Sequence, residues 1–159
     1  MNHTRKMTNN ISVTIEAEDD DVPEPEFITS VVQCVLQSMD SANSEINIQV
    51  VDDQTIRSLN QKYRNQDKST NVLSFETDMP EWVRSEFLGD IVLCPAVIRN
   101  EAVKYHKSNQ SRWAHMLIHG TLHLLGMSHD DEGEQSIMEL TELKIMAELG
   151  FDDPYQVLT

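Results

Sequence analysis

The sequence predicts an α+β fold: one domain over residues 1–159, with a small mixed β-sheet packed against helices and one helix central. Three observations carry this. Segments with two-residue alternation are interleaved with segments at helical spacing. One short continuous apolar run, GDIVLC at 89–94, has the form of a strand buried on both faces. Residues 111–125 are apolar around most of their helical circumference, as expected of a helix in the middle of the molecule. No repeat, low-complexity tract or domain boundary interrupts the chain.

Taken in order, residues 1–10 read as a frayed end, and ISVTI at 11–15 alternates Ile11, Val13 and Ile15 as a half-buried strand. EAEDDDVPEPE is a solvated loop leading into a helix, on which Phe27, Val31, Val32, Val35, Leu36 and Met39 share one face. EINIQVV is a second strand through Ile46, Ile48 and Val50. Asp52 or Asp53 caps the next helix, whose apolar face is Ile56, Leu59 and Tyr63. NVLSFET is a third strand, MPEWVRSEF a loop or short excursion, and GDIVLC the fourth strand. Pro95 suits the first turn of a helix to about His106. The helix over 111–125 follows, and a last helix spans 132–149, stopped by Gly150.

Composition narrows the function classes. The net charge of −15 argues against a general nucleic-acid binder, although a local basic surface can survive inside that sum. Solubility is the plainest role for the acidic excess. No apolar run has the length to cross a bilayer, and MNHTRKMTNN lacks the apolar core of a signal peptide. Cys34 and Cys94 form no CxxC pair and read as reduced, buried thiols, so a cytoplasmic location without membrane contact is expected.

The most specific stretch is HGTLHLLGMSH at 119–129. His119 and His123 are four apart on a helix and stack on one face, so both rings can reach one ion. Gly126 can take the left-handed backbone that ends a helix, and His129 can then swing back to the same ion. Three neutral nitrogens leave a fourth position open, which is the arrangement of catalytic zinc sites. The competing reading is three core histidines hydrogen-bonded to backbone, each of which would need its own partner. The spacing matches the long zinc-protease motif except at one place: Gly120 stands where the protease has its glutamate base. The metal cradle is kept and the peptidase base is missing.

HGTLHLLGMSH resembles the signature of the YbeY family of bacterial endoribonucleases and rRNA-maturation factors. LNQKYRNQDKSTNVLSF at 59–75, LGDIVLC at 88–94 and LGFDDPY at 149–155 are also similar to family segments, so the likeness runs from about 45 to 155. The resemblance implies one zinc ion per chain held by His119, His123 and His129. It further implies cleavage of single-stranded RNA, and work on ribosomal RNA ends and small-subunit quality control. Met127 and Ser128 replace the usual tyrosine and aspartate, and Gln66 and Ser69 replace lysine and proline. The missing aspartate leaves open which group orients a ligand ring, with Asp130 or Asp131 as candidates.

By position alone, Arg64 is a solvated charge at the negative end of its helix. The resemblance instead aligns it with the family's catalytic arginine, a fixed cation suited to the growing charge of a phosphodiester under attack. Lys62 and Lys68 either extend this strip toward RNA or are ordinary surface lysines. His119 carries a catalytic as well as a ligand role. His115 is either a support for the site, an RNA contact or a buried histidine held by a neighbour. Asn71 and Ser74 sit in the matching segment without an assigned role. Cys94, Trp113 and Met127 read as core.

The expected chemistry is metal-assisted hydrolysis of RNA. Zinc brings the pKa of a bound water near 7, so Gly120 is tolerated, and its small size is expected to keep the metal face open. The acidic balance implies that a partner presents the RNA: the small ribosomal subunit or its assembly proteins. Competing readings are a non-catalytic assembly factor with structural zinc and a metallopeptidase with a base recruited from Asp130 or Glu132.

Overall fold

The protein was analysed as a computed structural model that describes residues 8–80 and 86–156. The chain order is β1 (Asn10–Ile15), α1 (Pro25–Ser38), β2 (Glu45–Val50), α2 (Asp53–Arg64), β3 (Val72–Glu76), β4 (Phe87–Leu93), α3 (Pro95–Lys104), α4 (Asn109–Leu124) and α5 (Glu132–Glu148). This is the predicted α+β order.

The sheet runs β1-β2-β4-β3. The first two pairings are parallel and β3 lies antiparallel to β4. Central β4 is buried on both faces as its apolar run predicts. Ile91 and Leu93 join the main core with α1, α4 and α5, whereas Val92 joins a smaller core with Val51, Ile56, Leu73 and Cys94. The sheet is therefore covered by α1 and α4 on one face and by α2 on the other. Helix α4 touches α1, α3, α5, β3 and β4. Trp113, Leu117, Ile118 and Leu122 on it are fully buried, which accounts for its all-round apolar character.

Local chemistry sets the ends. Asp52 caps α2 by accepting from the Thr55 amide at 2.8 Å. Ser108 caps α4, accepting from Ser111 N, so this helix starts two residues before the expected 111. Four expectations need correction. Residues 1–7 lie outside the described residues, but residues 8–10 do not float: the Asn9 side chain accepts from Ser44 N at 2.8 Å, and Asn10 N donates to Ser44 O. The excursion MPEWVRSEF lies partly outside the described residues, and β4 begins earlier than expected, at Phe87. Tyr63 is 53% exposed, because the apolar stripe of α2 ends at Leu59 and the ring's aromatic neighbour is the edge of Phe75, centroids 5.2 Å apart. Cys94 is buried but Cys34 is only half-buried, its sulfur 3.9 Å from a Glu148 oxygen.

Candidate functional site

His119 and His123 lie one turn apart on α4, with ring centroids 4.6 Å apart. The helix then ends in a Schellman turn: Gly126 N donates to His123 O and Met127 N to Leu122 O, both at 3.0 Å. Gly126 has φ +96° with open space where a Cβ would sit. The reversal brings His129 back, its ring 5.6 Å from His119 and 5.0 Å from His123. One nitrogen from each ring lies within 4.8 Å of the others.

This donor set fits a divalent metal. The Nε2 atoms of His119 and His123 face each other at 3.1 Å. Two lone pairs can face at that distance only with a proton or cation between them. Zinc–nitrogen bonds of 2.0–2.1 Å at a tetrahedral angle give a separation of roughly 3.3 Å. Burial, followed by the neighbouring charges of His119 and His129, depresses the His123 pKa to about 4. A neutral imidazole is the form that coordinates.

Behind His119 stands a group that the sequence reading missed. Glu142 on α5 is 1% exposed. It accepts from His115 Nε2, from the Tyr155 hydroxyl at 3.0 Å and from His119 Nδ1 at 3.4 Å. Arg112 Nη1 lies 3.2 Å from His115 Nδ1. A guanidinium only donates, so that nitrogen accepts and the His115 proton sits on Nε2, toward Glu142. The same logic puts the His119 proton on Nδ1 and leaves its Nε2 lone pair facing the other two histidines. Burial alone would raise the Glu142 pKa; hydrogen bonds from His115 and His119 outweigh it and hold the pKa down to about 2. Burial lowers the His115 pKa, so a neutral ring faces an ionised carboxylate. Neither Asp130 nor Asp131 takes this place. Asp131 caps α5 by accepting from Glu134 N at 2.7 Å.

Arg64 lines the same cleft as the three histidines, a space of about 690 Å³ walled by β3. It is the last residue of α2, which ends at a left-handed Asn65 (φ 57°). Its Nη2 donates to Ser74 O at 2.6 Å, and the guanidinium lies 5.2 Å from the Phe75 ring centroid. Asn71 and Ser74 line the cleft too, whereas Lys62 and Lys68 do not. Both lysines are exposed, and Lys62 leans over Tyr63 instead.

Gly120 faces the sheet and does not line the three-histidine cleft, which corrects the expectation that it keeps a metal face open. It is buried where α4 crosses the sheet. A Cβ there would lie 3.0 Å from Ile91 Cγ2, 3.1 Å from Ser74 Oγ and 3.2 Å from Val72 Cγ2. Ser74 Oγ also donates to Gly120 O at 2.9 Å. A Cβ here would press on three strand side chains, which would have to give by a few tenths of an ångström, and a glutamate would start out toward the sheet. Neither Asp130 nor Glu132 lines the cleft to supply a peptidase base.

The description Endoribonuclease YbeY matches residues 8–150 as a family. The chain belongs to this family. A relative of that name from Cellvibrio japonicus is 41% identical over 145 residues, covering 91% of this chain and 82% of its own. Another, from Buchnera aphidicola subsp. Schizaphis graminum, is 42% identical over 153 residues, covering 94% and 96%. A solution structure of a Thermotoga maritima protein superposes with TM-score 0.57 at 20% identity, over 92% of this chain and 99% of that one. That likeness is one of fold.

Within this YbeY-family chain, Glu142 did leave a sequence signal. It shares the buried side of α5 with Met138, Ile145 and Met146. An acid at the i, i+4, i+7 positions of an apolar stripe is a buried charge in search of partners. Tyr155 lies in the LGFDDPY segment, but nothing in its spacing points to Glu142.

Proposed function

We propose that this chain is a metal-dependent endoribonuclease that cleaves single-stranded RNA. The observation that carries this reading is the shared cleft, in which three convergent imidazoles face one guanidinium. Zinc, one per chain, suits three nitrogen ligands with tetrahedral spacing. A metal held by His119, His123 and His129 would supply acidification of a water and polarisation of a phosphoryl oxygen.

The chain's own residues do the rest. Glu142 keeps a proton on His119 Nδ1 and so aims the other nitrogen into the cleft. Arg64 commits one donor to Ser74 O and leaves the others for a phosphate, whose non-bridging oxygens gain charge as phosphorus is attacked. Ring-face contact with Phe75 steadies the guanidinium without neutralising it.

The acidic balance supports delegation of substrate capture, with the RNA presented by the small ribosomal subunit or its assembly proteins during rRNA 3′-end maturation and quality control. Two free cysteines, and no described helix long and apolar enough to span a membrane, support a cytoplasmic location.

Elemental analysis of wild type and His123→Ala, with RNA and casein degradation measured on the same samples, tests the reading. Loss of about one zinc per chain together with RNA cleavage is expected, with casein untouched throughout. Unchanged metal content, or cleavage that survives metal loss, would overturn it.

A further inference from the structure

A second pocket, of about 390 Å³, opens between α3, the first half of α4 and the C-terminal segment. Asn71 and His119 line both this pocket and the histidine cleft, so the two spaces adjoin. We propose that this pocket is a nucleotide subsite: it takes a base and phosphate of single-stranded RNA adjoining the segment held in the histidine cleft. The proposal rests on the endoribonuclease reading and extends it to a second place on the substrate.

The wall is aromatic and held in place. Tyr155 is 46% exposed, yet its hydroxyl donates to both Glu142 oxygens at 3.0 Å. Its ring meets His115 edge-on with centroids 5.1 Å apart. Tyr105 is 38% exposed, with the Arg112 guanidinium 5.2 Å and the Lys104 ammonium 5.5 Å from its centroid. Rings that are fixed but still exposed are what a base stacks on with little ordering cost.

The charge is placed to match. Arg57, Arg99 and Arg112 are ion-paired with acids. Lys107 makes no ion pair among the described residues; its ammonium donates to the neutral Asp153 carbonyl at 2.8 Å. Its charge therefore stays available to a phosphate. Arg64 sits in one cleft and Lys107 in the next, with His119 between, so an extended strand would meet a cation on each side of the metal centre. Lys62, Lys68, Lys104 and Lys144 likewise make no ion pair among the described residues; what sets Arg64 and Lys107 apart is that each lines one of the two adjoining spaces, where an anionic strand crossing both would meet them.

The test uses metal-free full-length protein, so that nothing is cleaved, at low salt, where weak binding is measurable. Anisotropy of a fluorescein-labelled single-stranded octaribonucleotide is read for wild type, Tyr155→Phe, Tyr155→Leu and Lys107→Gln. Tyr155→Phe should bind within about twofold of wild type, and Tyr155→Leu about 5- to 100-fold more weakly, the range for loss of a stacking aromatic. Lys107→Gln should flatten the salt dependence by about 0.7 in log–log slope. An oligonucleotide with one abasic ribose, scanned along its length, should reproduce the leucine loss on wild type at one position and add nothing further to Tyr155→Leu. That arm needs no folded variant. If Tyr155→Leu binds as wild type does, or no abasic position matters, while metal-restored wild type cleaves RNA, the subsite is wrong and the endoribonuclease reading stands. If wild type neither binds nor cleaves single-stranded RNA after metal is restored, both fall.

Discussion

His119 is held by a buried carboxylate that also binds His115 and Tyr155, on a helix packed on nearly every side. Arg64, across the same cleft, is exposed and keeps one backbone hydrogen bond and one aromatic neighbour. Under the proposed function, the difference follows from what each half would have to do. Coordination tolerates errors of only a few tenths of an ångström, so the rings must be locked before the ion arrives. A phosphate on a moving strand is met by charge and reach, so a cation on a short tether serves better than a buried one.

This contrast is broken most directly by Arg64→Ala. It should lower kcat/KM for RNA about 10²- to 10³-fold. Metal content and melting temperature should stay at wild-type values, because the side chain is exposed; loss of metal in this variant would merge the two halves.

Glu142→Gln should do the reverse. The amide offers one accepting oxygen to three donors and turns an NH₂ toward one of them. Metal affinity, measured by competition with a chelator, should fall about 10- to 100-fold. Arg64, which makes no contact with Glu142, should be left in place. Unaltered metal affinity would remove Glu142 from the role of orienting His119.

The metal-free protein should lose stability as pH falls from about 6.5 to about 4. In this window the unfolded His123 takes up a proton and the folded one, with its pKa depressed from 6.5 to about 4, does not. Buried His115 adds in the same direction, and Glu142, with a pKa of about 2, stays ionised throughout. Melting temperature against pH checks the sign: a metal-free protein equally stable at both ends of the window would contradict the burial of these rings.

The smallest effect is expected from Phe75→Leu. Loss of the ring beneath Arg64 should cost about two- to fivefold in kcat/KM, in line with an exposed cation–π contact. A loss as large as that of Arg64→Ala would mean that the arginine is fixed as firmly as the histidines.

Much of the metal half was legible in the chain. Two histidines at helical spacing, a glycine able to reverse the backbone and a third histidine three residues on are local facts, and local backbone geometry converts them into convergence. The fully buried β4 and the central α4 were legible for the same reason, because burial on all sides removes polar residues from the pattern. Where a contact joins distant segments, the reading failed. Glu142 was passed over although it interrupts an apolar stripe, and Gly120 was read for what it lacked. Its actual neighbours, Ile91, Ser74 and Val72, come from two strands far off in the chain. Tyr63 followed the helical period but ran past the surface it was expected to cover.

By itself the sequence determined the order of strands and helices, the central helix and the three-histidine turn, since each depends on periodicity or on backbone preferences within a few residues. Only the tertiary structure decided that Glu142 stands behind His119, that Arg64 shares its cleft, and that Gly120 belongs to a helix–sheet contact. Those relations are set by how α2 and α4 pack on the sheet and α5 on α4, and close packing joins residues whose separation along the chain carries no trace of the meeting.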